Sequence, residues 1–170
     1  MNRRLFLAAL PGLLAAGCGF QLRRSADIPF ASLYVDAPAG SLVAQRIRKN
    51  LATNRKTHLA ANAGEAEAVL KITREERTRD ILSLSGAGTV TEYRLGLRLG
   101  YTLNDKAGRR LAASESIELT RDITYDVTKV LAKGAEEQLL YRDMEDNAAQ
   151  RIMRRLQAIK PDAAVDEHPG

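Results

Sequence analysis

Tyr93, Leu95, Leu97, Leu99, Tyr101 and Leu103 occupy every second position of one unbroken stretch, with Glu92, Arg94, Gly96, Arg98 and Gly100 in the gaps. Period two marks a strand with one apolar and one polar face. A helix would scatter the same leucines around its circumference. A face of this kind is costly in water, so the rest of the chain must supply a cover for it.

The neighbouring stretches continue the sheet. Asn104-Asp105-Lys106-Ala107-Gly108 is a hairpin turn. The strand after it, from about Arg110 to Ile123, puts Leu111, Ala113, Ile117, Leu119 and Ile123 on one face, with Glu115 and Arg121 as exceptions. Upstream, Ala68 to Leu84 begins with alternation at Ala68, Leu70 and Ile72. Its charged section, Glu75 to Asp80, must be wet, bulged or in contact with a partner. Ser85-Gly86-Ala87-Gly88 turns the chain. Short turns make these three strands an antiparallel meander. Ala31 to Asp36 adds a short strand, and Thr57 to Leu59 is a short strand or a turn.

Two helices supply the cover. Ser41 can cap a helix running to Asn54, whose Val43, Ile47 and Leu51 share a face. Tyr125 to Gly134 reads as an irregular link. Ala135 to Lys160 then reads as a long helix with Leu140, Met144, Ala148, Ile152, Leu156 and Ile159 on one stripe. Glu136 and Glu137 near its start, and Arg151, Arg154, Arg155 and Lys160 near its end, complement the helix dipole. Pro161 ends it. The expected fold is an α+β two-layer sandwich: two helices packed on one face of a four-stranded, mostly antiparallel sheet. The opposite face, with Arg94 and Arg98, is left for solvent or a partner.

The N-terminus carries a second pattern. Asn2, Arg3 and Arg4 precede a nearly apolar Leu5 to Ala16, and small residues lead into Cys18, the one cysteine of the 170 residues. This stretch is too short for a transmembrane helix and reads as a secretion signal. Leu14-Ala15-Ala16-Gly17-Cys18 resembles a lipobox, with Ala15 where the usual pattern has Leu, Val or Ile. The resemblance implies cleavage before Cys18 and acylation of that residue. An ordinary signal peptide with a chance cysteine is the alternative. Gly19, in place of the Asp that retains lipoproteins in the inner membrane, points by the same resemblance to the outer membrane. The organisation expected is a signal over 1–17, a lipidated N-terminus and linker over 18–30, one domain over 31–160 and a disordered tail over 161–170.

The formal net charge is +5, and removal of Arg3 and Arg4 with the signal lowers it by two. So mild an excess, without a zinc-finger pattern or aromatic stacking surface, does not indicate nucleic acid. No catalytic constellation is present either. His58 and His168 are the only histidines, without a metal-ligand motif, and no phosphate loop surrounds Gly86-Ala87-Gly88. Glu75-Glu76 and Glu136-Glu137 read as solvated surface. The expectation is a non-enzymatic protein without a cofactor.

Taken in order, Cys18-Gly19-Phe20-Gln21-Leu22-Arg23, then Thr91-Glu92-Tyr93, then Leu131-Ala132-Lys133, then Ala148-Ala149-Gln150-Arg151-Ile152 with Leu156, the chain resembles the LptE family over most of residues 18–160. That family implies a plug inside the LptD β-barrel that assists barrel assembly and binds lipopolysaccharide for delivery to the outer leaflet. It also implies a basic lipopolysaccharide-binding residue before the C-terminal helix, matched by Lys133. A second such residue, near the hairpin tip, has no counterpart in Leu82 to Gly88. Arg77 and Arg79 are the nearest substitutes. Solvated surface charge is the alternative reading for Lys133 and the plainer one for Arg77 and Arg79. Two other functions stay open: a membrane-anchored binder of an anionic glycolipid without a barrel, and a periplasmic hydrolase.

Overall fold

The computed structural model describes residues 27–159. Cys18, the signal stretch and the tail lie outside them. Along the chain run strand β1 (Ser32–Asp36), helix α1 (Leu42–Ala52), strand β2 (His58–Leu59), a 3-10 turn (Ala63–Glu65) and strands β3 (Ala68–Leu84), β4 (Val90–Asp105) and β5 (Arg110–Thr124). A second 3-10 turn (Val127–Lys129) leads into helix α2 (Val130–Ala158). The sheet order is β2-β1-β3-β4-β5. β1 lies parallel to β2 and β3, while β3, β4 and β5 form the antiparallel meander. The sheet thus has five strands where the sequence suggested four, because His58 and Leu59 pair with Ser32 and Leu33.

The ladder of β4 is the middle of the core. Leu95, Leu97, Leu99, Tyr101 and Leu103 are buried on the face that the helices cover. Burial of one such leucine contributes about 1.5–3 kcal/mol. α1 brings Val43, Ala44, Ile47 and Leu51. α2 brings Tyr141, Met144, Ala148, Ala149, Ile152 and Leu156. Ile28 and Phe30, at the end of the stretch read as linker, are also buried in this core. On the opposite face Arg94 bonds Asp122 through two nitrogens at 2.8 and 3.0 Å, and Arg98 bonds Glu118 at 3.1 Å. Each pair sits directly across the β4–β5 register.

β3 changes character part-way along. Thr73 is an extra residue between Ile72, opposite Tyr101, and Arg74, opposite Gly100. A bulge of this kind flips the alternation. Before it, Ala68, Leu70 and Ile72 face the helices. After it, Glu75, Arg77, Arg79 and Ile81 do, because they stand opposite Leu99, Leu97, Leu95 and Tyr93. The charged section is therefore bulged, and its inner side chains meet the helices. Glu75 accepts from the N–H groups of Leu42 and Val43 at 3.2 and 3.3 Å and from the Ser41 hydroxyl. Ser41 in turn accepts from the Ala44 N–H at 3.0 Å. Glu75, which the sequence reads as solvated surface, thus helps to cap α1 at its positive pole.

Two other expectations need correction. α2 starts at Val130, five residues before the expected Ala135, so Gly134 lies inside the helix. A helical glycine costs about 1 kcal/mol relative to alanine, which weakens the first turns without ending them. The Asp126 carboxylate holds the preceding 3-10 turn by accepting from the Thr128 N–H at 2.9 Å and its hydroxyl at 2.7 Å. In β5, a register shift between the pairs Tyr101–Glu115 and Leu103–Ala112 breaks the expected face, and Ala113 is exposed.

A carboxylate on α2 ties the layers together. Glu145 is fully buried and accepts from Arg46 of α1 at 3.0 Å and from Arg77 of β3. Arg46 also bonds Asp146 at 2.9 Å. Removing one member of a buried ionic cluster strands the others. Since both arginines reach partly into solvent, Glu145→Ala is expected to cost about 2–4 kcal/mol by chemical denaturation at neutral pH, and a loss below about 0.5 kcal/mol would deny the cluster its clamping role. The Arg94 guanidinium holds the Asp122 carboxyl below the usual carboxylate range, and the Thr128 hydroxyl and N–H do the same for Asp126. Both pKa values are lower folded than unfolded, so this stabilisation is full above about pH 4 and fades as pH falls through the folded values. Unfolding measured from neutral to acidic pH should show a shallower acid loss in Asp122→Asn. An unchanged slope would assign the acid sensitivity elsewhere.

Candidate functional site

The end of the sheet that carries the β3–β4 turn projects past α1. A strand of β3's length spans about 50 Å and α1 only about 16 Å. At this far end the chain leaves large apolar side chains in water: Ile81, Leu82 and Leu84 on β3, Val127 in the 3-10 turn, and Val130, Leu131 and Leu139 on α2. Leu131 is 92% exposed. The turn itself needs Gly88, at φ +77°, whose N–H bonds the Ser85 carbonyl at 2.9 Å.

Cations stand beside this apolar surface. Lys133 ends the first turn of α2 and does not lie in a loop. Its ammonium donates to Glu136 at 2.8 Å and to the Thr124 hydroxyl of β5 at 3.1 Å. The side chain is 17% exposed. The Arg79 guanidinium lies 3.8 Å over the Tyr93 ring and 5.6 Å from Tyr125, whose ring meets Tyr93 edge-on at 5.2 Å. Its Nε is 3.6 Å from Glu137. Such stacking fixes the guanidinium plane while leaving N–H groups free. Arg77 is differently employed: Glu145 binds it, and it stacks 4.8 Å over Tyr141. The Tyr141 hydroxyl donates to the Thr78 carbonyl at 2.7 Å. Burial, chiefly, pushes this hydroxyl's pKa up, so it remains a donor at neutral pH. The structure thus brings Lys133 and Arg79 to the same end and ties Arg77 to the interlayer clamp. Cys18 lies outside the described residues.

Pattern reading does not single out Tyr125 or Glu145, and it leaves Glu137 as solvated surface. Glu145 falls four residues after Tyr141 and four before Ala149, on the buried stripe. That spacing was the available signal. Among the described residues no group of acids, histidines and cysteines is placed to hold a metal, and no helix is long and apolar enough to cross a membrane.

The family model described as LptE, lipopolysaccharide-assembly, matches residues 30–156. The chain belongs to the LptE family. It is 28% identical to the LPS-assembly lipoprotein LptE of Photorhabdus laumondii over 154 residues, covering 88% of this chain and 82% of that one. It is equally 28% identical to that of Pectobacterium atrosepticum over 170 residues, covering 94% and 88%. Among solved structures, it is similar to lipoprotein B of Nitrosomonas europaea, with a TM-score of 0.72 and 35% identity over 82% of this chain and 91% of that chain. The rare lipoprotein B of Shewanella oneidensis aligns with a TM-score of 0.64 and 26% identity, covering 75% and 94%.

LptE-family membership makes the chain a lipopolysaccharide-assembly lipoprotein in a non-enzymatic family. Among the described residues, the large apolar side chains at the far end stay at the surface and add nothing to the core. Leu131→Ser should therefore leave stability within about 0.5 kcal/mol of wild type by thermal or chemical denaturation. A loss above about 1.5 kcal/mol would mean that Leu131 belongs to the core.

Proposed function

We propose that this LptE-family lipoprotein is anchored to the outer membrane by acyl chains on Cys18, plugs and helps assemble an LptD-type β-barrel, and binds lipopolysaccharide at the far end of its sheet. The observation that carries the reading is the juxtaposition there of Lys133 and Arg79 with Val127, Val130 and Leu131. Lipopolysaccharide is an amphiphile with phosphates and carboxylates beside acyl chains. Ammonium and guanidinium groups bind the former by charge-assisted hydrogen bonds, and exposed apolar side chains favour the latter. Lys133 keeps one of its three N–H directions after Thr124 and Glu136. Arg77 contributes more weakly in this reading, because an outside anion must compete with Glu145.

The exterior suits a plug. Two cross-strand ion pairs, Arg94–Asp122 and Arg98–Glu118, stand on the outer sheet face, and the lumen of a wide barrel is polar. The anchor follows from acyl chemistry: each buried methylene contributes about 0.8 kcal/mol, one chain holds a protein marginally, and several hold it durably.

Co-purification of the tagged full-length protein from detergent-solubilised outer membranes should yield a stoichiometric β-barrel partner. Its absence would remove the plug and leave a stand-alone glycolipid binder. Lys133→Asp should weaken lipopolysaccharide binding at low salt by about tenfold or more, the loss of one charge-assisted contact and the gain of a repulsion. Wild-type affinity in that variant would take Lys133 out of the site.

A further inference from the structure

The opposite, near end of the sheet carries a second cationic surface. The β1 residue Leu33 is level with Ala68, and Ala68 with Asp105, so the chain enters the domain beside the β4–β5 turn. The entry is held there by Lys56 on Asp27 at 2.6 Å, by the Thr57 hydroxyl on the Phe30 carbonyl at 2.9 Å, and by the Ala31 N–H on Glu67 at 2.7 Å. Toward the same end, α2 finishes against β5. Tyr101, Glu115, Ile117, Arg151, Arg154 and Arg155 line a shallow, open groove between them.

Among the described residues, carboxylates at this end are engaged within the fold. Glu115 accepts from Arg155 and from the Tyr101 hydroxyl at 2.7 Å. Asp27 holds Lys56, Glu67 holds the Ala31 N–H, and Asp105 accepts from the N–H groups of Ala107 and Arg109 in its own turn. Arg151 and Arg154 are exposed and form no ion pair among the described residues. The helix dipole explains one cation in the last turn. Two more guanidiniums, turned to solvent beside it, fit an anion from outside.

The covalent chain indicates which anion. Nine residue steps separate Cys18 from Asp27, a reach of at most about 30 Å. An acylated Cys18 would keep the near end next to the membrane that holds the acyl chains. We infer that Arg151 and Arg154, beside Arg155, form a docking surface for anionic phospholipid headgroups of that membrane, so that tether and arginines together hold the near end at the periplasmic leaflet and leave the far end free to enter the barrel. The inference rests on the Cys18 anchor proposed above and concerns a surface separate from the Lys133 end.

The test uses the mature chain carrying Cys18→Ser, which has no acyl chains, and vesicles of phosphatidylethanolamine with or without phosphatidylglycerol. Sedimentation should show binding to the anionic vesicles only. Binding should fade as salt rises, since screening shortens from about 10 Å at 0.1 M to about 3 Å at 1 M. Adding Arg151→Gln and Arg154→Gln should weaken it about 25-fold, about fivefold for each basic side chain near an anionic surface. Circular dichroism should show every variant folded. No binding, equal binding to neutral vesicles, or full binding by the double variant would overturn the inference. Mass spectrometry of the wild-type protein tests acylation separately. An acylated wild type whose unanchored form ignores anionic vesicles sinks the docking surface and leaves the anchor standing.

Discussion

One apolar strand face has to be kept dry, and the rest of the domain is arranged around that need. β4 is the middle of the long meander, with Leu95, Leu97, Leu99 and Leu103 all turned the same way. Only α2 is long enough to follow it, about 43 Å at the usual helical rise. α1 covers the remainder of the entry half. Where α1 stops, the bulge at Thr73 exchanges the apolar inner side of β3 for Glu75, Arg77 and Arg79. These charges are satisfied by an α1 terminus, by Glu145 and by a tyrosine face, respectively. Layer packing and polar satisfaction are therefore one design: the same bulge that ends the greasy side of β3 aims the groups that hold the two helices.

That arrangement gives the domain two unlike ends. The near end is compact: the entering chain is bonded to Glu67 just before β3, the β4–β5 turn is closed on itself by Asp105, and the close of α2 is bonded to β5 through Glu115. The far end overhangs, and there the fold leaves apolar and cationic side chains together at the surface. A catalytic centre needs converging, perturbed groups in a closed cleft. The far end is instead an open amphiphilic surface, which suits the binding of an amphiphile and the assembly role of the LptE family.

The layers were legible in the sequence because period-two and period-four patterns report directly on burial. The β4 ladder, the stripe of α2 and the Ser41 cap all stand where those patterns place them. What escaped was set by single-residue events. One extra residue at Thr73 reverses which side chains of β3 face inward, and alternation alone cannot locate such an insertion in a polar stretch. The start of α2 was obscured because Gly134 reads as a break, while neighbouring alanine and leucine, with the Asp126 turn ahead of them, carry the helix through it. Of the three basic residues singled out in the sequence, Lys133 and Arg79 share the far end. Arg77 stands in the clamp, a placement local patterns cannot report because its partner, Glu145, lies 68 residues away in sequence.

Native-state hydrogen exchange followed residue by residue tests the central claim most directly. If β4 is the covered middle of the core, the amides of Leu95 to Leu103 that bond neighbouring strands should be among the slowest in the molecule and open only with global unfolding. The amides around Ser85 to Thr89 and at the start of α2 should open far sooner. Exchange of the β4 amides as fast as those of the far-end turn would mean that the sheet is not sealed beneath the helices, and the account of both ends would fail with it.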